Sequence, residues 1–322
     1  FSYRDEWHPA ANLRGGARHA LMPWLTSPLA ASADDAQVTM LDSLRRFLCD
    51  PAGQSLRERM GMRLPAEAEP ADDTEPLLLP GGGWSRSLLQ RAVLDALLEQ
   101  QTEGLYERLL ARALLASAPL GRRESEALVG QERPYARLYS QWRGSLRPQA
   151  MTVETRIDGT VLRGRIDNVY EHGLARVRIG EPNGPSTIRA GLDWLLLCAA
   201  EQGRPLVQFH DDGDGAQRFE RPALNAEQAR EALRQLLQLR EQGMREALAF
   251  APYSGWALYS ALRDGMSDEK AWQKMRERWT GDSGRNWAEG AGDAIKLTLR
   301  GRDLLAEDVL RGSSDRYPSQ YR

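Results

Sequence analysis

A mixed α/β (α+β) fold, a small sheet set among many helices, is what this sequence predicts. Two observations carry the prediction. Apolar residues recur at helical spacing as far as residue 150 and again after residue 225, whereas from Met151 the period drops to two for three consecutive strands. A third observation bears on function: the run Leu162 to Tyr170 holds one acid, Asp167, and the strand after it carries arginines at its polar positions.

The elements follow in order. Residues 1–38 are irregular, broken by Gly15-Gly16, Pro23 and Pro28, with Trp7 and Trp24 as anchors onto a neighbour, and read as a connector from a preceding region. The opening without methionine and the polar ending Ser313 to Arg322 suggest a piece of something longer. A first helix is expected from Thr39, capped by that residue, with Met40, Leu41, Leu44, Phe47 and Leu48 on one face and Asp50-Pro51 as the stop. Pro51 then suits the first turn of a second helix ending at Gly61. Residues 65–83 hold Glu67, Glu69, Asp72, Asp73 and Glu75 among prolines and glycines, with no basic residue, and read as a solvated acidic loop. Helical spacing resumes from Ser85 to Leu98, in Leu105 to Leu115, and around Tyr135, Leu138, Tyr139 and Trp142, so that 39–150 is mainly helical.

The sheet region spans 151–224. Met151 to Ile157 alternates, Asp158-Gly159 is a two-residue hairpin signal, Val161 to Tyr170 alternates again, and a turn at His172-Gly173 leads into Leu174 to Ile179. A helix follows, capped by Ser186 or Thr187, with Ile188, Leu192, Leu195, Leu196 and Ala199 on one face and Gly203 as its end. A fourth strand, Leu206 to His210, turns at Asp211-Asp212-Gly213-Asp214-Gly215 into Gln217 to Glu220. The remainder, 225–322, is helical: Asn225 with Gln228 starts one helix, and Trp256, Leu262, Trp272, Met275 and Trp279 mark a last region whose aromatic stripe reads as core. The four parts are expected to form one domain.

Composition excludes several classes. With 43 basic and 45 acidic residues the net charge is −2, so contact with phosphates has to come from local patches. No apolar run approaches the ~20 residues a membrane helix needs. Cys49 and Cys198 lie in apolar helical patterns without metal-ligand spacing, which fits a reducing compartment. His8, His19, His172 and His210 show no ligand spacing, the 211–215 segment lacks the EF-hand pattern, and Gly81-Gly82-Gly83 is no Walker loop.

Asp167 stands where PD-(D/E)XK nucleases carry their first metal-binding acid. Such a nuclease needs a second carboxylate converging on magnesium and a cation near the scissile phosphate. Alternation places Arg163, Arg165 and Asp167 on one face of the second strand, while the third strand offers Arg176, Arg178 and Gly180. A guanidinium cannot bind a cation, and one close to Asp167 would neutralise it. The expectation is therefore a degenerate PD-(D/E)XK (restriction endonuclease-like) core with extensive helical additions, no catalytic residue and no metal. Asp167 is then a remnant that pairs with Arg165, Arg176 or Arg178, or else Arg163, Arg165, Arg176 and Arg178 touch DNA phosphate.

The run Leu44-Arg45-Arg46-Phe47-Leu48-Cys49-Asp50-Pro51, with Arg59-Met60-Gly61-Met62, resembles the start of the RecC C-terminal domain family. Asp73 to Leu79, Leu192 to Ala200, Glu241 to Met244 and Pro252 to Trp256 are also similar to that family, and the resemblance runs from about Asp5 to Leu305. It implies a cytoplasmic bacterial subunit of the RecBCD helicase-nuclease that processes double-strand ends for recombinational repair. By the same resemblance the domain has no activity of its own, RecB and RecD are its partners, duplex ends and unwound single strands pass through the complex, Chi is recognised there, and ATP and magnesium belong to the partner subunits. An active metal-dependent nuclease of the RecB or AddB type and a purely structural interaction domain are the alternatives.

Overall fold

The computed structural model describes residues 22–30, 38–64, 84–281, 287–300 and 302. The acidic loop 65–83, His8, His19, Trp7, the three-glycine run 81–83 and the tail 303–322 lie outside the described residues.

Ten α-helices and six strands make up the described part, and the six strands form a single mixed sheet. Its centre is β3 (Thr160–Tyr170). Strand β2 (Gln149–Ile157) runs antiparallel along one edge of β3. Two strands share the other edge: β1 (Val38–Met40) pairs in parallel at Val161 to Arg163, and β4 (Gly173–Val177) pairs antiparallel at Val169 and Tyr170. Strand β5 (Leu206–Asp211) lies parallel to β4, and β6 (Ala216–Arg221) closes the sheet as an antiparallel edge. The Asp158-Gly159 turn has φ of 47° and 87°, the left-handed pair that a two-residue hairpin requires. The 211–215 turn is held by Asp211 Oδ1, which accepts from the amides of Gly213 and Gly215.

Helices cover the two faces unequally. On the first face sit α1 (Leu41–Cys49), α6 (Gly184–Ala199) and α7 (Ala226–Gly243). Their Leu41, Leu44, Phe47, Leu192, Leu196, Leu197 and Leu233 bury against Val153, Ile157, Leu162, Ile166 and Leu174 of the sheet. A Cβ at Gly164 would run into Leu41, so this glycine is what lets α1 lie directly on β3. On the second face α5 (Ala118–Arg143) packs, setting Tyr139 and Trp142 against Tyr170, Ala175, Val207 and Phe209, and Leu94, Leu97 and Leu98 of α3 (Trp84–Leu98) join it beside Val177 and Ala216. The helices α3 and α4 (Leu105–Ala111) join α5 in a separate small core around Leu89, Val93, Leu109 and Leu128. Helices α2 (Pro51–Met60), α8 (Pro252–Arg263), α9 (Asp268–Thr280) and α10 (Asp293–Thr298) complete the chain. No described helix is long and apolar enough to cross a membrane.

Several sequence expectations are corrected. Thr39 is no cap: it pairs with Leu162 inside β1, and α1 starts at Leu41 with Met40 in the cap position. The cap of α6 is Asn183, whose side chain accepts from the Ser186 amide while the Ser186 hydroxyl accepts from the Asn183 amide. That helix stops at Ala199, because Glu201 takes a left-handed φ of 61° before Gly203 is reached. Strand β4 ends at Val177, two residues early, where the chain bends toward Gly180. Helix α5 is one continuous element with Pro134 inside it, longer than the sequence pattern suggested. Gly61 (φ 62°) ends α2 and Asn225 caps α7 through the Gln228 amide, both as expected.

Candidate functional site

The acid singled out by sequence lies on the uncovered part of the sheet. Arg163, Arg165 and Asp167 project from the second face of β3, opposite Leu162, Gly164 and Ile166, and no described helix covers them. Asp167 accepts from Arg165 Nε at 3.1 Å, and Arg163 grips Glu154 of β2 with Nε at 2.8 Å and Nη2 at 2.5 Å. All four side chains are exposed. Asn168 then adopts φ 58°, and the alternation slips by one residue, so that Val169 enters the first-face core and Tyr170 the second. Beyond β1 this edge of β3 has no strand partner among the described residues until Val169.

Arg176 fills that gap from the other side. It sits on β4 with its side chain on the first face, where Nη1 donates to the Asp167 carbonyl at 2.8 Å and to the Ala175 carbonyl at 2.7 Å. Its Nε donates to Asp193 Oδ2 at 3.1 Å and its Nη2 bonds the same oxygen. The second oxygen of Asp193 is taken by Arg45 Nη2 of α1, whose Nη1 also meets Asp42. Asp193 is only 5% exposed. Three elements, α1, β4 and α6, are thus joined by two guanidiniums closing on one buried carboxylate. Burial alone would lower the Arg45 pKa, but Asp193 and Asp42 more than reverse this and hold it above its ordinary value.

Arg178 stands apart. Its Nε donates to the Glu181 carbonyl at 2.6 Å, and it makes no ion pair among the described residues. Burial, with Arg189 of α6 beside it, lowers its pKa against the opposing influence of Tyr253. The four arginines named from sequence therefore split: Arg163 and Arg165 on one face, Arg176 and Arg178 on the other.

This arrangement has direct chemical consequences. Asp167 and Asp193 lie on opposite faces of the sheet, and each carboxylate is already matched by a guanidinium. Glu171 and Glu181 are exposed, one in the β3–β4 turn and one beyond β4. Among the described residues no three His, Cys, Asp or Glu side chains cluster as a metal site. His172 tilts over Trp142 at 4.2 Å, and His210 stacks on Phe219 at 4.1 Å. Cys198 is buried and Cys49 half-buried; both are free thiols.

Sequence reasoning missed Arg45 and Asp193. The signal for Asp193 was present: an aspartate within the apolar run Leu192 to Ala200 is bound to be buried, and a buried carboxylate needs a cation. Nothing local identified Arg45, 148 residues away, as that cation.

A family model described as the RecC C-terminal domain matches residues 36–263. The RecBCD enzyme subunit RecC of Escherichia coli (strain K12) is 29% identical over 316 residues, covering 96% of this chain and 27% of the relative's own length. The chain thus spans about a quarter of the curated relative it matches. The solved crystal structure of SSO0001 is 12% identical, covering 56% of this chain and 96% of its own, at a TM-score of 0.27, too low to bear on the fold.

Proposed function

The chain belongs to the RecC C-terminal domain family, and from that membership we propose that it is a non-catalytic part of a RecBCD-type enzyme, serving assembly and the routing of DNA strands during repair of double-strand breaks. Its core is a PD-(D/E)XK-like sheet that has lost its active site. RecB- and RecD-type subunits in the cytoplasm are its partners, duplex ends and unwound strands its nucleic acid, and ATP and magnesium act on those subunits.

One observation carries this reading: the carboxylates nearest the site, Asp167 and Asp193, are turned to opposite faces of the sheet and neutralised by Arg165 and by Arg45 with Arg176. A two-metal reaction requires carboxylates that converge with free oxygens. Here the Asp193 oxygens are spent on holding β4, α1 and α6 together and Asp167 lies across the sheet from them, so the nuclease geometry has become a structural junction.

The test is cleavage together with assembly. The purified protein, alone, should leave linear DNA intact with magnesium or manganese, and Asp167→Ala should assemble with partner subunits and support unwinding at the unmodified rate. Metal-dependent degradation that disappears in Asp167→Ala would establish the active-nuclease reading in its place.

A further inference from the structure

We propose that the open first face of the β5–β6 hairpin, with Arg178 just beyond β4, binds single-stranded DNA, with a base stacked on Phe219 and phosphates set against Arg178 and Arg221. The proposal rests on the reading above that this domain lies along unwound DNA, and it names the surface and the strand type.

Sheet register assembles the surface. Arg176 pairs with Gln208, and Gln208 with Phe219; His210 pairs with Gln217, and Leu206 with Arg221. Directly paired residues share a face, so Gln208, His210, Gln217, Phe219 and Arg221 lie on the face that carries Arg176. The Arg178 amide extends the ladder by donating to the Phe209 carbonyl at 2.9 Å, which sets Arg178 beside His210. Helix α6 covers the β3–β4 end of this face through Asp193 and Trp194. Beyond them β6 is mostly exposed, and the packing of described helices on it, apart from Trp194 under Arg221, is by α5 and α3 on the opposite face.

The chemistry of this patch suits a single strand. His210 Nδ1 donates to the Asp211 carbonyl at 2.9 Å, which fixes the imidazole, and Phe219 stacks on it at 4.1 Å with an interplanar angle of 6°. Phe219 is 38% exposed, so the two-ring stack is open to a third ring. Arg221 is held at one end over the Trp194 ring at 5.6 Å. At the other end stands Arg178, which makes no ion pair among the described residues, with Arg189 nearby. Of the four acids of this hairpin, Asp211 and Glu220 alternate onto the other face with Phe209 and Val207, and Asp212 and Asp214 lie in the turn at its tip. Cations flanking an exposed aromatic stack are the two elements by which single strands are bound without sequence preference: phosphates take the charges and a base takes the ring. A duplex hides its base faces and could use only the arginines.

The experiment uses the full-length protein that contains this chain, assembled with its partner subunits, and an oligodeoxythymidine bearing 5-iododeoxyuridine. Irradiation should attach the oligonucleotide within residues 206–221, located by mass spectrometry. Phe219→Ala should lower that yield by about five- to a hundredfold, the range that truncating one base–aromatic stack spans, and Phe219→Trp should keep it. Arg178→Gln and Arg221→Gln should each lower it and flatten its fall with added salt by about one counterion. An oligonucleotide with an abasic unit in place of the stacked base should respond to the arginine variants and not to Phe219→Ala. No adduct in 206–221, an unchanged yield in Phe219→Ala, or a loss of subunit assembly in place of cross-linking overturns the proposal while leaving the non-catalytic reading intact. DNA cleavage by the wild-type chain itself would overturn that reading instead.

Discussion

Replacing Glu132 by glutamine should abolish a stability decline that the wild-type domain shows between pH 6 and pH 8.5. Glu132 lies on α5 with 0% exposure, between the Leu89–Val93–Leu128 core and Tyr135, and neither carboxyl oxygen has a hydrogen-bond partner among the described residues. Burial, reinforced by Asp95 of α3 and only partly opposed by Arg86, raises its pKa from 4.5 to about 8. Arg86 is itself shared with Glu124, at 3.8 Å. Between these two values the folded chain keeps the proton and the unfolded chain releases it, so stability falls as pH rises from 4.5 and levels off above about 8. At about 1.36 kcal/mol per unit the full cost is about 5 kcal/mol, of which about 2–3 kcal/mol accrues between about pH 6 and pH 8.5. Urea denaturation of wild type and Glu132→Gln at the two pH values reads this difference, because His172, His210 and every other titrating group are common to both chains. Glu132→Leu should be the more stable protein at the higher pH, since it also removes an unpaired polar group. Equal pH dependence in wild type and Glu132→Gln would refute the argument.

Asp193→Ala should destabilise the domain by about 3–5 kcal/mol in urea titrations, because it leaves Arg45 and Arg176 uncompensated in a buried junction. Adding Arg45→Met and Arg176→Met to it should recover most of that loss. Gly184→Ala should cost about 1–3 kcal/mol, since the new methyl group would fall on the Pro252 carbonyl at the start of α8 and push that helix from α6.

What could be read from sequence is what short-range chemistry determines. The period-two runs, the Asp158-Gly159 turn, the Gly61 stop and the Asn225 cap are each fixed by residues within a few positions of one another, and the structure reproduces them. The failures are long-range. Strand β1 is three residues long and exists because Val161 to Arg163 offer it an edge more than a hundred residues later, so Thr39 looked like the helix cap it would have been in isolation. Asn168 carries no mark of the left-handed turn it makes, although asparagine tolerates that conformation better than most residues. That turn decides which face receives Val169 and Tyr170, and with them how β3 meets the arginines of β4. Of the three arginines expected to pair with the Asp167 carboxylate, Arg165 on the same strand does so, and Arg176 of β4 reaches only the carbonyl.

The division among the arginines has a physical logic that joins the two proposals. A guanidinium already spent on a carboxylate has little to offer a phosphate, because the phosphate has to displace a partner that costs nothing to keep. Arg163 and Arg165 are matched one to one by Glu154 and Asp167 on an exposed face, where ion pairs are worth about 0–1 kcal/mol and exchange readily. Arg176 and Arg45 share a buried aspartate and are committed to the fold. Arg178 alone of the four makes no ion pair among the described residues, and it is the one beside the His210–Phe219 stack. Arg45 and Arg176 are balanced by Asp193 and Asp42, so the cation that this side of the sheet can offer a phosphate is Arg178.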